Sequence, residues 1–345
     1  MEELILIDGN SLLFKAYYAT ASMGNLMVNK DGIPTNAVFG FANMLQKILE
    51  RESAYIVVAF DYGKKTFRND LLEQYKATRK ETPDELKCQF AMVREFLDAY
   101  SIPYYELEGY EGDDLIGTLS RLGEEQGLSV SIFTGDKDAF QLVSKQTTVY
   151  RTVKGVTQLD VYTPETIQEK YGLVPDQIRD FLGLMGDSAD NIPGIKGVGE
   201  KTALKLLHEY GTIENLKEHM HEIKGKMGEK IRENIDIGLQ SKKIATILRD
   251  VPVTLDLNQA RYDGYDFEKL KAFYTHYDMN SLLKKISVES RPTSKTDFQY
   301  EVVQKMPPIQ EDSSVLGAIY DQNYHKSIVL GYALYNAHQA YFITF

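Results

Sequence analysis

The chain has 345 residues, of which 43% are hydrophobic, so it is long enough for two or three domains with a substantial core. Its formal net charge of −11 alone would argue against general electrostatic binding of nucleic acid, but nine of the acids belong to one predicted cluster that metal ions would partly neutralise, so the net charge is misleading. The lack of an apolar run of about 18 residues argues against a membrane span. The single cysteine, Cys88, excludes an internal disulfide and a cysteine-built zinc site; with an N-terminus that lacks a signal-peptide pattern, it predicts a cytoplasmic protein.

The first half of the chain alternates short β-branched runs with helical patterns. Strands are predicted at Leu4–Ile7, Tyr55–Phe60, Pro103–Leu107, Val130–Thr134, Thr147–Thr152 and Val156–Val161. Such alternation indicates a mostly parallel sheet flanked by helices. From Tyr62 to Lys80 the chain is basic and dotted with aromatic residues, and a helix with a capping box is predicted to start at Thr82. Because this basic insertion follows a strand end, we expect it to hang over that edge of the sheet.

Acidic residues lie beyond the carboxyl ends of four predicted strands. They are Asp8, Asp61, Glu111 and Asp136, and further acids follow at Asp113, Asp114, Asp138, Asp187 and Asp190. In parallel sheets ligands gather at this edge, and crowded carboxylates indicate divalent cations that offset their repulsion. The six histidines lie outside these motifs, so oxygen ligands predict Mg²⁺ or Mn²⁺ rather than zinc. Taken alone, the acids at 111–114 are also typical of a solvated helix start.

The second half is predicted to be helical around a glycine hairpin at 192–203. Gly197 and Gly199 allow close backbone approach, and the amides of the following helix, with Lys196 and Lys201, can bind phosphate. The alternative is a plain tight turn between helices. The polar, proline-containing segment 289–314 predicts a linker, and strands are predicted after it at 315–320, 328–334 and 340–345.

Seven motifs, in this order, resemble the 5′-nuclease domains of the flap-endonuclease family, of the type found in bacterial DNA polymerase I. They are Leu6–Ser11, Ala59–Asp61, Tyr75–Arg79, Gly109–Asp114, Thr134–Asp138, Gly186–Gly194 and Gly197–Thr202. The resemblance covers about residues 1–290. It implies an α/β, PIN-like catalytic core at 1–175 with a helical arch at 62–100, and a helix-hairpin-helix DNA-binding subdomain at 176–288. From 315 to 345 the chain resembles the start of a 3′–5′ exonuclease-like domain without the Asp-x-Glu pair of an active one.

The resemblance also implies roles for single residues. One cation is expected at Asp8, Asp61, Glu111 and Asp113, and a second at Asp136, Asp138 and Asp187, with Glu111 or Asp113 bridging and with Asp114 and Asp190 acting through water. Lys76 and Arg79 are expected at the scissile phosphate. DNA contacts are implied for Lys15, Arg68, Tyr75, Lys80, Gly194, Lys196, Gly197, Gly199, Lys201 and Thr202, with K⁺ at the hairpin.

The resulting hypothesis is a metal-dependent 5′–3′ exonuclease and flap endonuclease, monomeric, acting in DNA replication and repair. Its substrates are expected to be DNA with 5′ flaps, nicks or RNA primers, and the full-length protein is expected to carry a polymerase domain. Two alternatives stay open: a catalytically idle DNA-binding module that uses the hairpin, and a small-molecule phosphatase or calcium-binding protein built on the Asp136/Asp138 pair. The basic insertion and the hairpin have no role in the second alternative.

Overall fold

The computed structural model describes residues 2–21, 26–51, 53–63, 65–154, 156, 158–289, 300–303, 314–320, 329–336 and 339–344. It divides into two compact units, Met1–Leu283 and Lys284–Phe345. In these ranges no helix combines the length and the apolar character needed to cross a membrane. Cys88 is exposed.

A six-stranded sheet forms the centre of the first unit. Its strands are β1 (Glu3–Asp8), β2 (Tyr55–Ala59), β3 (Tyr104–Tyr105), β4 (Ser129–Thr134), β5 (Thr147–Lys154) and β6 (Gln158–Tyr162). They lie in the order β3-β2-β1-β4-β5-β6, all neighbours being parallel except β5 and β6. Every residue of β2 is buried, as expected for a parallel strand covered on both faces. The predicted mostly parallel sheet is confirmed.

Six helices belong to the first half of this unit. They are α1 (Gly9–Ala21), α2 (Asn36–Leu49), α3 (Phe67–Leu71), α4 (Asp84–Lys87), α5 (Gln89–Ala99) and α6 (Gly112–Glu125). The capping box predicted at Thr82 is wrong: Pro83 is the residue before α4, and no side chain caps that helix. Although α5 falls within the predicted arch, its Val93 and Phe96 are fully buried. The carboxamide oxygen of the buried Gln89 accepts hydrogen bonds from two N–H groups in the first turn of α2, which have no partner within that helix.

Seven further helices follow, and two of them flank the glycine hairpin. They are α7 (Pro164–Tyr171), α8 (Ile178–Met185), α9 (Glu200–Tyr210), α10 (Ile213–His219), α11 (Gly225–Ala245), α12 (Leu257–Ala260) and α13 (Phe267–His276). The hairpin joins α8 to α9, and α11 packs along α8. The Lys242 ammonium lies 2.8 Å from Glu214 and 2.7 Å from the buried Asp180, which ties these helices together.

Residues 246–251, here called the strap, lead from α11 back to the sheet-containing part of the unit. The N–H of Leu248 donates to Asp114 on α6 at 2.9 Å, and that of Ile247 donates to the Gln141 side chain at 2.9 Å. The side chains of Arg121 and Thr118 on α6 bond the strap backbone further along. The helices around the hairpin are therefore fastened to the helix that begins beside Glu111.

The second unit contains a four-stranded sheet. Helix α14 (Asn280–Glu289) crosses the boundary between the units, and the strands are β7 (Tyr300–Val303), β8 (Ser314–Tyr320), β9 (Val329–Asn336) and β10 (Gln339–Thr344), in the order β7-β10-β9-β8. The linker prediction is wrong for β7, whose aromatic and β-branched residues favour a strand despite the polar residues around them. Within the stretch 315–345 that resembles a 3′–5′ exonuclease-like domain, residues 321–328 lie outside the described residues.

Candidate active site

A cavity of about 710 Å³ lies beyond the carboxyl ends of β1, β2 and β4. Seven of the nine predicted acids line it: Asp8, Asp61, Glu111, Asp113, Asp136, Asp138 and Asp187. Its basic residues are Lys15, Lys76, Arg79, Lys137 and Arg151. The cavity therefore gathers acids from elements that are far apart in sequence, and places two residues of the basic insertion opposite them.

Asp8 is fixed at the end of the central strand. Its carboxylate accepts the N–H of Ser11 at 2.9 Å, which caps α1, and the Thr134 hydroxyl at 2.7 Å. Burial raises the pKa of Asp8 to about 6; the two hydrogen bonds lower it, and the charges of Asp61 and Asp136 raise it. A carboxyl in this environment is stabilised by any positive charge that enters the cavity.

Asp61 and Asp113 face the cavity from β2 and α6. The Asp61 carboxylate accepts the N–H of Gly112 at 2.7 Å and the Asn10 side-chain amide at 2.9 Å. Burial and then the charge of Asp114 raise the pKa of Asp113 well above its ordinary value. One carboxylate oxygen of Asp113, Oδ1, is buried and has no hydrogen-bond partner. Such an oxygen is suited to a ligand that the protein itself does not supply.

The other end of the cavity is formed by the loop after β4 and the loop after α8. There the Asp138 N–H donates to Asp136 at 3.0 Å, and the Ala189 N–H donates to Asp187 at 2.8 Å. Burial, followed by the charges of Asp136 and Asp187, raises the pKa of Asp138 well above its ordinary range. Burial likewise raises the pKa of Asp187. Both ends of the cavity thus disfavour uncompensated negative charge.

The basic insertion covers the cavity, as predicted. The Lys76 ammonium lies 2.8 Å from Glu111 Oε2, and the Tyr75 hydroxyl donates to the same oxygen at 3.1 Å. The Arg79 Nε donates to Asp190 at 2.9 Å, while Asp190 itself lies outside the cavity lining. Asp190 is therefore the counter-ion of Arg79 in this structure, and its water-mediated role toward a cation stays a prediction.

Two residues predicted to contact DNA, Arg68 and Tyr75, have buried side chains in this structure. Arg68 is 1% exposed and makes two hydrogen bonds, of 2.7 and 2.8 Å, to Asp114, and a third, of 2.8 Å, to the Ile244 carbonyl. Burial lowers the pKa of Arg68, but neighbouring carboxylates raise it more, so the guanidinium stays charged. Tyr75 is 6% exposed, with its hydroxyl turned toward the acids. Asp114 is fully buried and lies outside the cavity lining, and its water-mediated role toward a cation stays a prediction.

The glycine hairpin separates into a packed base and an exposed tip. Gly194 is buried, and its N–H lies 3.1 Å from the Ser241 hydroxyl oxygen. A Cβ at Gly194 would lie 2.3 Å from the backbone nitrogen of Gly186, so the packing at this position requires a glycine. The exposed residues of the tip and the following helix start are Lys196, Gly197, Gly199, Glu200 and Lys201. Gly197 has a φ of +83°, which favours glycine.

Three predicted DNA-binding residues remain. Lys15 lines the cavity and donates to the Thr152 hydroxyl at 2.7 Å, and burial lowers its pKa. Lys80 is exposed, and Thr202 is half-buried in the first turn of α9. Lys15 is thus held at the cavity wall, whereas Lys80 points to solvent.

The carboxylates share a cavity without forming a ready-made coordination shell. Within the described part of the chain, no three His, Cys, Asp or Glu side chains are placed to hold one metal ion together. The hydrogen bonds and ion pairs above explain this, because Asp8, Asp61 and Glu111 each have partners in the protein. A cation that binds here would meet carboxylates that already have partners in the protein.

Two family models match consecutive parts of the chain. Residues 3–172 match the model described as "5'-3' exonuclease, N-terminal resolvase-like domain", and residues 173–268 match "5'-3' exonuclease, C-terminal SAM fold". The chain belongs to the 5′–3′ exonuclease family. The junction of the two models at 172/173 lies close to the predicted boundary at 175/176.

Curated relatives of this exonuclease-family chain include bacterial DNA polymerases I. The DNA polymerase I of Bacillus caldotenax is 45% identical over 350 residues, which covers 99% of this chain and 39% of that polymerase. The enzyme of Bacillus subtilis (strain 168) is 43% identical over the same length, with the same coverage. The chain therefore spans about two-fifths of the length of these relatives.

Solved structures share the fold at low sequence identity. T5 5′-exonuclease, described with bound divalent metal ions (zinc), matches with a TM-score of 0.58 and 18% identity, covering 84% of this chain and 99% of that one. The catalytic core of Rad2 in complex with DNA substrate matches with a TM-score of 0.57 and 17% identity, covering 84% of this chain and 91% of that one. These matches confirm the predicted fold class.

Proposed function

We propose that this chain is a structure-selective nuclease that hydrolyses phosphodiester bonds at 5′ ends, flaps and RNA primers, with two Mg²⁺ or Mn²⁺ ions. The observation that carries the proposal is the single cavity in which seven carboxylates face Lys76 and Arg79. Family membership supports 5′–3′ hydrolysis as the reaction. Membership of this family argues against the alternative of a small-molecule phosphatase or calcium-binding protein.

The donor set fits hard divalent cations. All seven acids of the cavity offer oxygen atoms, the ligands that Mg²⁺ and Mn²⁺ prefer, and Asp113 Oδ1 is buried without a partner. Asp8, Asp61, Glu111 and Asp113 would hold one ion, and the other would be held by Asp136, Asp138 and Asp187. When bound, such a pair of cations supplies hydroxide near neutral pH and stabilises charge on the attacking and leaving oxygens.

The chain's own cations bind and orient the substrate phosphate. Lys76 and Arg79 lie beside the carboxylates and carry the positive charge that a phosphodiester in the cavity would meet. Lys15, fixed by Thr152, adds a third positive charge at the wall. Fixed charges in a site that excludes water stabilise developing negative charge more than mobile ones do.

The glycine hairpin is proposed to bind the duplex portion of the substrate. Its exposed tip carries Lys196, and the start of α9 carries Lys201. Backbone amides at a helix start and nearby lysines bind phosphates without reading sequence, and K⁺ at the hairpin would support this contact. Residues 1–175 would then carry out the hydrolysis, and residues 176–288 would bind the duplex. A 3′–5′ exonuclease-like domain would begin at 315, and a polymerase domain would be attached in the full-length protein.

Cleavage of a labelled 5′-flap DNA with Mg²⁺ tests the proposal. Asp113→Asn and Asp136→Asn should each reduce the cleavage rate by at least about a hundredfold, because each removes a cation ligand. Binding to the same DNA should persist and weaken with salt, since it depends on phosphate contacts. Asp263→Asn, at a side chain that is 79% exposed, is the matched control. Full activity in both acid-site variants would contradict the assignment of these carboxylates to the cation site, whereas no cleavage by the unaltered chain would favour the idle DNA-binding module.

A further inference from the structure

Lys76 places a fixed positive charge at Glu111, one of the carboxylates expected to bind a cation. Its ammonium lies 2.8 Å from Glu111 Oε2 and 3.8 Å from Asp190 Oδ2, and the side chain is only 22% exposed. A divalent cation that approaches Glu111 Oε2 therefore meets an ion pair that is already formed.

The backbone holds Lys76 in this position. Its φ of +58° is left-handed, a region that non-glycine residues rarely adopt unless surrounding contacts impose it. The Lys76 N–H donates to the Asp190 carbonyl at 2.9 Å. Asn191, also left-handed with a φ of +58°, donates through its side chain to the Gln74 carbonyl at 2.7 Å. These two hydrogen bonds join the basic insertion to the loop before the glycine hairpin and aim Lys76 at Glu111.

We propose that the Lys76 ammonium is a built-in competitor of the divalent cation. It neutralises Glu111 while the cavity is free of cations, and it must leave Glu111 Oε2 when a cation binds there. Departure from Glu111 frees the ammonium for the substrate phosphate. The inference rests on the proposed function, because it concerns the same cation site.

Two simpler roles for Lys76 lead to different expectations. If Lys76 only contacts phosphate, removing its charge leaves cation affinity unchanged in the absence of DNA. If Lys76 only supports the position of Glu111, removing it weakens cation binding. If Lys76 is a competitor, its removal strengthens cation binding, because the ammonium then no longer repels the cation or occupies the carboxylate. Cation affinity therefore separates the three roles without a measurement of cleavage.

The test is a calorimetric titration of the full chain with Mn²⁺, without DNA and at constant ionic strength. Lys76→Met, which keeps the length of the side chain, is expected to bind Mn²⁺ about tenfold more tightly, a change equivalent to about 1.4 kcal/mol. Lys76→Arg keeps the charge and is expected to retain the affinity of the unaltered chain. Lys80→Met removes the same charge from an exposed side chain of the same insertion and controls for long-range electrostatics.

Equal or weaker Mn²⁺ binding by Lys76→Met would overturn the inference. Absence of Mn²⁺ binding in the unaltered chain and in every variant would instead count against the proposed function itself. Reductive methylation of the unaltered chain, read by peptide mass spectrometry, provides a test that needs no variant. Mg²⁺ is expected to accelerate methylation of Lys76 relative to Lys80, because a released ammonium is more accessible; an unchanged ratio contradicts the inference.

Discussion

The buried pair of Arg68 and Asp114 is expected to be a major determinant of stability. The shortest distance between their charged atoms is 2.7 Å, and the side chains are 2% and 0% exposed. Arg68 also donates to the carbonyl of Ile244 at 2.8 Å and to that of Thr246 at 3.1 Å. The substitution Arg68→Met keeps an apolar stem in place but leaves the Asp114 carboxylate buried without a counter-ion.

The expected size of this effect follows from the isolated charge. Removing one partner of a buried ion pair lowers the free energy of unfolding by about 3–5 kcal/mol, against a total of about 5–15 kcal/mol for a typical domain. At about 2–4 °C for each kcal/mol, the melting temperature should fall by about 10 °C. The control Arg261→Met breaks an exposed 3.3 Å pair with Asp263. It should change the free energy of unfolding by at most about 1 kcal/mol.

Urea unfolding of the full chain, followed by circular dichroism, measures these differences. The informative comparison adds Asp114→Leu and the double variant with Arg68→Met. The double variant should be more stable than Arg68→Met alone, because it leaves no unpaired buried charge. A double variant whose loss equals the sum of the two single losses would refute this explanation of the pair.

Three other outcomes are expected. Mg²⁺ at about 100 times its dissociation constant should stabilise the fold by about 2.7 kcal/mol, seen as a rise in melting temperature that EDTA reverses; a flat response contradicts the cation site. Burial and the hydrogen bond to Glu95 raise the pKa of Tyr277 to about 12 from 10.0. The contribution of this side chain to the free energy of unfolding is therefore complete below pH 10 and is lost as the pH rises to 12. The stability difference from Tyr277→Phe should therefore shrink over that interval, and a constant difference would exclude the shift. Gly194→Ala, at φ +61° with its Cβ 2.3 Å from Gly186, should lower the melting temperature, whereas Gly199→Ala, with no atom within 4 Å, should leave it nearly unchanged.

The positions of the cavity acids were predictable because their signals are local. A strand followed within two residues by an acid identifies Asp8, Asp61 and Asp136, and parallel pairing brings such positions to one edge of the sheet. The contact between Asp8 and the N–H of Ser11 could also have been predicted, since an aspartate three residues earlier is a common helix cap. The Thr134 hydroxyl that bonds Asp8 has no comparable signal, because only the pairing of β1 with β4 brings it there.

The burial of Arg68 and Tyr75 could not be predicted from their surroundings in the sequence. Both lie in a basic, polar stretch that is typical of a solvent-exposed segment. Asp114 is 46 positions from Arg68, and Ile244 is 176 positions away, so neither partner is visible in any local pattern. The same holds for Lys76, whose contact with Glu111 spans 35 positions. Ion pairs of this kind depend on how the helices pack against the sheet, which periodicity does not specify.

Because of the strap, the hairpin region should not be freely exchangeable with that of a relative. Exchanging residues 173–268 with the corresponding stretch of a relative would import a foreign strap while retaining Thr118, Gln141 and Arg121 of the recipient, which contact it. Hybrid nucleases assembled at that junction should therefore lose activity through misalignment of α6, even when each parental half is sound. Transplanting these contact positions together with the donor stretch should restore the alignment of α6 in such hybrids.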